Sequence, residues 1–280
     1  MSTAGPAFAS AAARRGYGAL ADGLALLGRH LLRVRRAPGL FVLTQAMPLI
    51  LLLFFGYVFG SALTLPGDGG YRSYLLPGLF TAVAAGGLMT GMMQAAQDAQ
   101  RGVADRFRTL PISRAAVPLG QAAADVLVTA AGLVPLALVG WAVGWRVEAG
   151  AGPVLGAYGL LLLFRFATCW AGIHLGLLLR DEEAAGQLGS ATFVLQLVSG
   201  AYVPTSGMTG WLRAVAEWNP LSAVAAACRG LFGGPAARLA DAPGAAWPVV
   251  HPVAASAGWS LALLAVFVPL AIRRYARGGR

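Results

Sequence analysis

Long apolar runs alternate with short polar breaks along the chain. A helix rises about 1.5 Å per residue, so roughly 20 apolar residues cross a hydrocarbon core about 30 Å thick. Six runs meet that length, at about 40–63, 74–96, 117–145, 153–179, 187–203 and 253–272. Pro48 predicts a kink in the first. Between the fifth and sixth lie two further helical stretches, 208–218 and 221–232. Each is too short to cross and carries charge (Arg213, Glu217, Arg229), so the 204–232 segment is expected to dip into the outer leaflet. The pattern predicts an all-α polytopic membrane protein of six transmembrane helices. A β-barrel would need alternating strands of about ten residues, and the chain has none of that pattern.

A seventh apolar pattern is amphipathic. Leu20, Leu24, Leu27, Leu31 and Val34 recur at helical spacing and, at about 100° per residue, form a stripe about 80° wide. Asp22, Arg29, Arg33 and Arg36 fall on the opposite face. Residues 17–36 therefore read as a helix lying in the membrane interface, its arginines toward lipid headgroups. Residues 1–16, small and polar, are expected to be disordered, and no cleaved signal peptide is expected.

Composition supports the membrane class: 58% of residues are hydrophobic and 11% charged, where soluble domains carry about 25% charge. Mean hydropathy is +0.68. All 21 basic residues are arginine, which a GC-rich coding bias explains. The missing lysine has a chemical consequence. A Walker A loop needs lysine on the β- and γ-phosphates, so this chain cannot hold one and is not expected to be a P-loop ATPase. The net charge of +10 does not point to nucleic acid, because the arginines flank apolar spans. Cys169 and Cys228 sit in apolar surroundings without a Cys/His cluster, so neither metal nor catalytic cysteine chemistry is expected.

Charge also sets orientation. With both termini in the cytosol, fifteen arginines lie inside and five (Arg72, Arg146, Arg213, Arg229, Arg238) outside. Even parity of crossings agrees, as does the 273–280 tail with its four arginines. Trp141, Trp145, Trp211, Trp218 and Trp247 would then form an outer aromatic belt. The membrane expected is a bacterial cytoplasmic membrane.

The same orientation puts the charged segment 98–114 in the cytosol. Ala99, Val103, Phe107 and Leu110 share one helical face, and Arg101, Asp105 and Arg108 another; Pro111 ends the helix. Such a helix fits a partner's groove. An ordinary basic loop obeying the positive-inside rule accounts for the charge equally well.

Two motifs break that tie. One is Asp98-x-x-x-Gly102-x-x-x-Arg106-Phe107-Arg108-x-Leu110-Pro111-x-Ser113-Arg114, followed by Gly120 and Asp125. The other is Ser199-Gly200-x-x-x-Pro204, then Trp211-Leu212, Asn219-Pro220-Leu221 and Arg229-Gly230-Leu231. With the preceding interfacial helix, they resemble the membrane subunit of type-2 ABC exporters, of the daunorubicin-resistance kind found in actinobacteria. The family often has proline where this chain has Thr209, which predicts a different start for the outer helix. The resemblance implies a permease subunit with no catalytic residue or bound cofactor. ATP and Mg would sit on a separate P-loop ATPase subunit. The 98–114 loop would dock there through Asp98, Arg101, Asp105, Arg106, Phe107, Arg108, Leu110 and Pro111. The 180–186 turn would be a smaller second contact. A second permease subunit, identical or not, would complete the pathway, and Pro204, Trp211, Asn219, Pro220 and Arg229 would lie at an outer gate. The small, apolar span surfaces favour a hydrophobic or amphiphilic substrate: a drug, lipid or glycolipid.

Polar residues inside spans default to functional candidates. Arg165 lies mid-span, with Asp125 as a possible partner; a pathway role and a structural ion pair both remain open. Gln121, Thr192 and Gln196 line a pathway or bond across helices, and His174 reads as a packing residue. A proton-coupled transporter using Asp125, Arg165 and His174 is the competing class, though the halves show no internal repeat. An intramembrane serine protease using His174 with Ser190, Ser199 or Ser206 lacks a nucleophile motif.

Overall fold

A computed structural model of the chain describes residues 38–58, 70–102, 115–233 and 246–277. The 17–36 interfacial helix with Arg29, Arg33 and Arg36, the heart of the charged loop at 103–114, Arg238 and the last three residues lie outside the described residues. So do residues 1–16 and the last part of the first predicted span.

Every regular element among the described residues is helical. In chain order they are α1 (Pro38–Val58), α2 (Tyr71–Ala85), α3 (Gly87–Gln100), α4 (Ala116–Ala142), α5 (Ala151–Leu179) and α6 (Glu182–Leu197). A 3-10 turn (Thr205–Gly207) follows, then α7 (Gly210–Trp218), α8 (Pro220–Phe232), α9 (Trp247–Val250) and α10 (Pro252–Arg277). Among the described residues, four helices are long and apolar enough to cross a membrane: Tyr71–Gln100, Val117–Ala142, Ala151–Leu179 and Pro252–Tyr275. The first of these joins α2 to α3 through Gly86.

Packing centres on α5, which lies against α2, α3, α4, α6, α8 and α10. Lipid tails are as apolar as leucine, so helices in a bilayer associate by close fit rather than by leaving water. The α3–α5 contact shows that fit. Gly87, Gly91 and Ala95 recur every four residues on α3, and Thr168, Gly172 and Gly176 on α5. A Cβ on Gly172 would lie 2.1 Å from the Leu88 carbonyl oxygen, and one on Gly176 2.2 Å from that of Met92. On Gly91 it would meet the Cys169 oxygen at 2.4 Å. The helices thus touch backbone to backbone.

The α5–α6 turn is built from local chemistry. Arg180 takes a left-handed φ of 54°, and Asp181 caps α6 by accepting from Ala184 N at 3.1 Å. Glu182 and Glu183 in the first turn complement the helix dipole. Helix α6 then stops at Leu197, six residues before the predicted end at 203.

Three further expectations change. Trp145 does not face lipid: it is 6% exposed and meets Phe80 and Phe232 edge-on, at centroid distances of 5.7 and 5.3 Å. A tryptophan at a span end carries the same sequence signature whether it faces in or out. Asp98 lies within α3 rather than in the loop, because the helix runs to Gln100. Thr209 has φ −61°, the value a proline would impose, so threonine leaves the start of α7 at Gly210.

Candidate functional site

Three places bring polar groups together. The first is deep in the bundle. Asp125 of α4 and Arg165 of α5 form a two-pronged pair, Nε to Oδ2 at 2.6 Å and Nη2 to Oδ1 at 2.7 Å. Arg165 Nη1 donates to the Val83 carbonyl at 2.8 Å and Nη2 to Thr90 Oγ1 at 3.0 Å. The Thr90 hydroxyl donates to Asp125 Oδ1 at 3.0 Å, and Thr168 Oγ1 to the Ala84 oxygen at 3.2 Å. Arg165 and Thr168 thus reach the carbonyls just before Gly86, where α2 gives way to α3. Gly87 is required here, since a Cβ would lie 2.6 Å from both the Arg165 carbonyl oxygen and Thr168 Oγ1.

Both side chains of the pair are 8% exposed. Isolated charges would be untenable at that burial, but a forked pair with further bonds to Val83 and Thr90 is held in place. The sequence left Arg165 between pathway and ion pair; the geometry gives it protein partners for four of its five N–H groups. His174, the third member of the proton-coupled alternative, instead packs beside Phe267 of α10 at 5.8 Å between ring centroids. Ser190 and Ser199 donate to carbonyls of Gly186 and Gln196 in their own segment, which leaves a protease reading without a base. Thr192 likewise bonds Gly189 O at 2.6 Å. Gln121 is 5% exposed, and its Nε2 makes no hydrogen bond among the described residues.

The second place is where α6 ends. Carbonyls left free by that stop are taken by side chains from elsewhere, as a backbone at membrane depth requires. Asn219 Nδ2 donates to Leu195 O and Val198 O, each at 2.9 Å. Tyr74 OH donates to Gly200 O at 2.6 Å and Tyr71 OH to Tyr202 O at 3.0 Å. Ser222 Oγ accepts from Gly200 N at 2.8 Å. Arg229, 6% exposed, donates Nη2 to Gly200 O (2.8 Å) and Ala201 O (2.9 Å), and Nε to Tyr74 O (3.1 Å). Its guanidinium carbon lies 3.6 Å from the Tyr74 ring centroid. Gly78 brings the wall close, since a Cβ there would overlap the Ala201 carbonyl at 1.8 Å. Of the residues expected at an outer gate, Asn219 and Arg229 are in this network, and Gln196 joins it through Tyr202 OH at 3.4 Å. Pro220 opens α8, Pro204 precedes the 3-10 turn, and Trp211 stands apart, 74% exposed.

The other described arginines expected on the outer side are also structurally occupied. Arg72 bridges Gly56 O (3.1 Å) and Val143 O (2.9 Å) near the ends of α1 and α4, and stacks on Tyr57. Arg146 binds the Trp141 and Trp145 carbonyls and lies over the Trp141 ring. Arg213 pairs with Glu217 at 2.6 Å.

The third place is where the end of α3 meets the α5–α6 turn, the side expected to face the cytosol. Gln97 Nε2 donates to Glu182 Oε1 at 2.8 Å, and Gln100 Nε2 to Asp181 Oδ1 at 2.9 Å. These bonds tie the last turn of α3 to the α5–α6 turn. Arg101 follows as an exposed residue at the end of α3. Asp105, Arg106, Phe107, Arg108, Leu110 and Pro111 lie outside the described residues.

Comparison with known proteins gives two matches. The profile of the ABC-2 type transporter family matches residues 23–232. A daunorubicin resistance ABC transporter permease protein, DrrB1 of Streptomyces coeruleorubidus, is 33% identical over 251 residues, covering 89% of this chain and 84% of that protein.

Proposed function

From the premise that this chain belongs to the ABC-2 type transporter family, we propose that it moves a hydrophobic or amphiphilic compound out of a bacterial cell. Family membership makes it a permease subunit of an ABC exporter. The resistance named for its relative supports a drug or antibiotic as substrate, with a lipid or glycolipid as the neighbouring chemistry. ATP with Mg binds a separate P-loop ATPase, and a second permease subunit, identical or not, completes the pathway. Six crossings with both termini in the cytosol fit the arginine distribution.

One observation carries the coupling route. The segment 101–115 joins α3 to α4, and those helices are cross-linked inside the bundle by Thr90, Asp125 and Arg165. A push on the loop therefore reaches the interior through two helices already joined to each other and to α5. A partner can shift a two-state permease only through contacts that differ between states, and such a route supplies them. Phe107 and Arg108 are the proposed docking residues, with Asp98, Arg101, Asp105, Arg106, Leu110 and Pro111 completing the surface.

The test uses everted membrane vesicles containing the permease and its partner ATPase. Daunorubicin accumulation should require ATP and persist with an uncoupler present. Phe107→Ala with Arg108→Ala should lose co-purification of the ATPase and accumulation together. Retention of both by the double variant sinks the docking assignment. Loss of transport on adding uncoupler sinks the ATP-driven reading.

A further inference from the structure

The two short outer helices are held very differently. Helix α8 is fixed at both ends and along its length. At its start Asn219 accepts from Leu221 N at 3.0 Å while its amide holds the end of α6. At its end the Phe232 carbonyl accepts from both Glu148 N and Ala149 N at 3.1 Å, which ties it to the turn before α5. Between them, Val224, Ala225, Ala227 and Cys228 have no exposed surface. Cys228 Sγ lies 4.0 Å from the Ala157 carbonyl oxygen of α5.

Helix α7 is the opposite case. Its only buried residues are Ala216 and Glu217, in the last turn. Trp211, Val215 and Trp218 are 74%, 54% and 55% exposed. Its main packing partners are the 3-10 turn, α8 and α9, all within the outer segment. Gly207 and Gly210, on either side of its start, have open space where a Cβ would stand. The element is anchored at one end only.

Resting on the export reading above, we propose that the outer gate has one fixed leaf and one moving leaf. Arg229 is a positioning residue that makes α8 part of the wall formed by α2, α5 and the end of α6. Helix α7 is the leaf that swings, about its last turn, when substrate leaves. A swinging α8 would have to break the three Arg229 bonds to carbonyls and leave a charge buried among apolar groups, which is prohibitive. A swinging α7 need only shift apolar surface that is already exposed.

The experiment uses native Cys228 and one substitution, Ala157→Cys. Copper phenanthroline oxidation should join the two sulfurs, and Cys228→Ala should abolish the bond. Daunorubicin accumulation is read in everted vesicles with the ATPase, oxidised against reduced. We expect the oxidised protein to keep more than half of the reduced rate, because α8 does not move. A ratio below one half overturns the proposal, as does failure of the bond to form, since α8 would then not be seated on α5. Arg229→Gln should lower accumulation at least fivefold, and the Ala157→Cys disulfide should restore at least half of the loss. Normal accumulation by Arg229→Gln, or no rescue of a folded variant, also overturns it. Should Arg229→Gln fail to fold, the oxidised-to-reduced ratio in the Arg229 background decides alone. Absence of accumulation by reduced Ala157→Cys and the unsubstituted protein alike would count against export itself, not against the gate.

Discussion

Replacing Asp125 by asparagine keeps the side-chain shape and removes the charge. The Asn oxygen can stay where Asp125 Oδ1 was, still accepting from Arg165 Nη2 and Thr90 Oγ1. Its NH2 then faces Arg165 Nε, donor against donor, where a 2.6 Å bond had been. One charge-assisted bond is lost, about 1.5–3 kcal/mol. The guanidinium also loses its counter-charge at 8% exposure, where water offers little relief. Breaking a buried pair costs about 3–5 kcal/mol. Arg165 keeps Val83 O and Thr90, so about 3 kcal/mol is expected. The double replacement Asp125→Leu with Arg165→Met should cost no more than about 1 kcal/mol, because nothing charged stays buried. Val83 O would still accept from Gly86 N at 3.2 Å, and Thr90 Oγ1 would still donate to Gly87 O at 3.2 Å. Unfolding in mixed micelles by SDS titration, followed by tryptophan fluorescence, of the parent, Asp125→Leu, Arg165→Met and the double variant gives all four corners of the cycle, with Asp125→Asn measured beside them. A single variant within about 0.5 kcal/mol of the parent refutes the reasoning, since that is the range of an ordinary surface substitution. So does a double variant that loses the sum of the two singles. If Asp125→Asn were stable yet inactive, the carboxylate would have a role in protons rather than in holding helices.

Three other outcomes follow from the geometry. Gly172→Ala should prevent a monodisperse detergent-solubilised protein, since its Cβ would stand 2.1 Å from the Leu88 oxygen, whereas Gly159→Ala, with open space, should elute as the parent does. Size-exclusion profiles compare them. Arg72→Gln loses a bridge between the ends of α1 and α4 and should destabilise by about 1.5–3 kcal/mol in the same SDS titration. Trp145→Ala, which empties a site among Phe80 and Phe232, should cost about 3–5 kcal/mol, while Trp211→Ala, at 74% exposure, should be within about 0.5 kcal/mol.

Much of the helical layout is legible from apolar runs, because run length is what a bilayer demands. The Asp125–Arg165 pair is legible as a possibility, since charges in spans seek each other. Other features follow from groups that have no letter of their own. Arg229 has carbonyls and a ring face as its described partners, and nothing in the sequence marks a carbonyl as free. The halt of α6 at Leu197 depends on Asn219 and Tyr74, which are far along the chain. The glycine contact does have a signature in the sequence: Gly87-x-x-x-Gly91 and Gly172-x-x-x-Gly176 stand four apart, the spacing that brings helices together.

The forked hydrogen bonds alter what an all-arginine composition means. A GC-rich genome drifting from AAA toward CGC can recode most basic positions freely, because a lysine in a tail serves the same electrostatic end. Arg72, Arg165 and Arg229 are exempt from that exchange. Each spans acceptors from two or more nitrogens of a planar group, and an ammonium on a flexible stem does not reproduce that span. Of 21 arginines, these three would be expected to persist in relatives from AT-rich genomes while those in the tail turn to lysine.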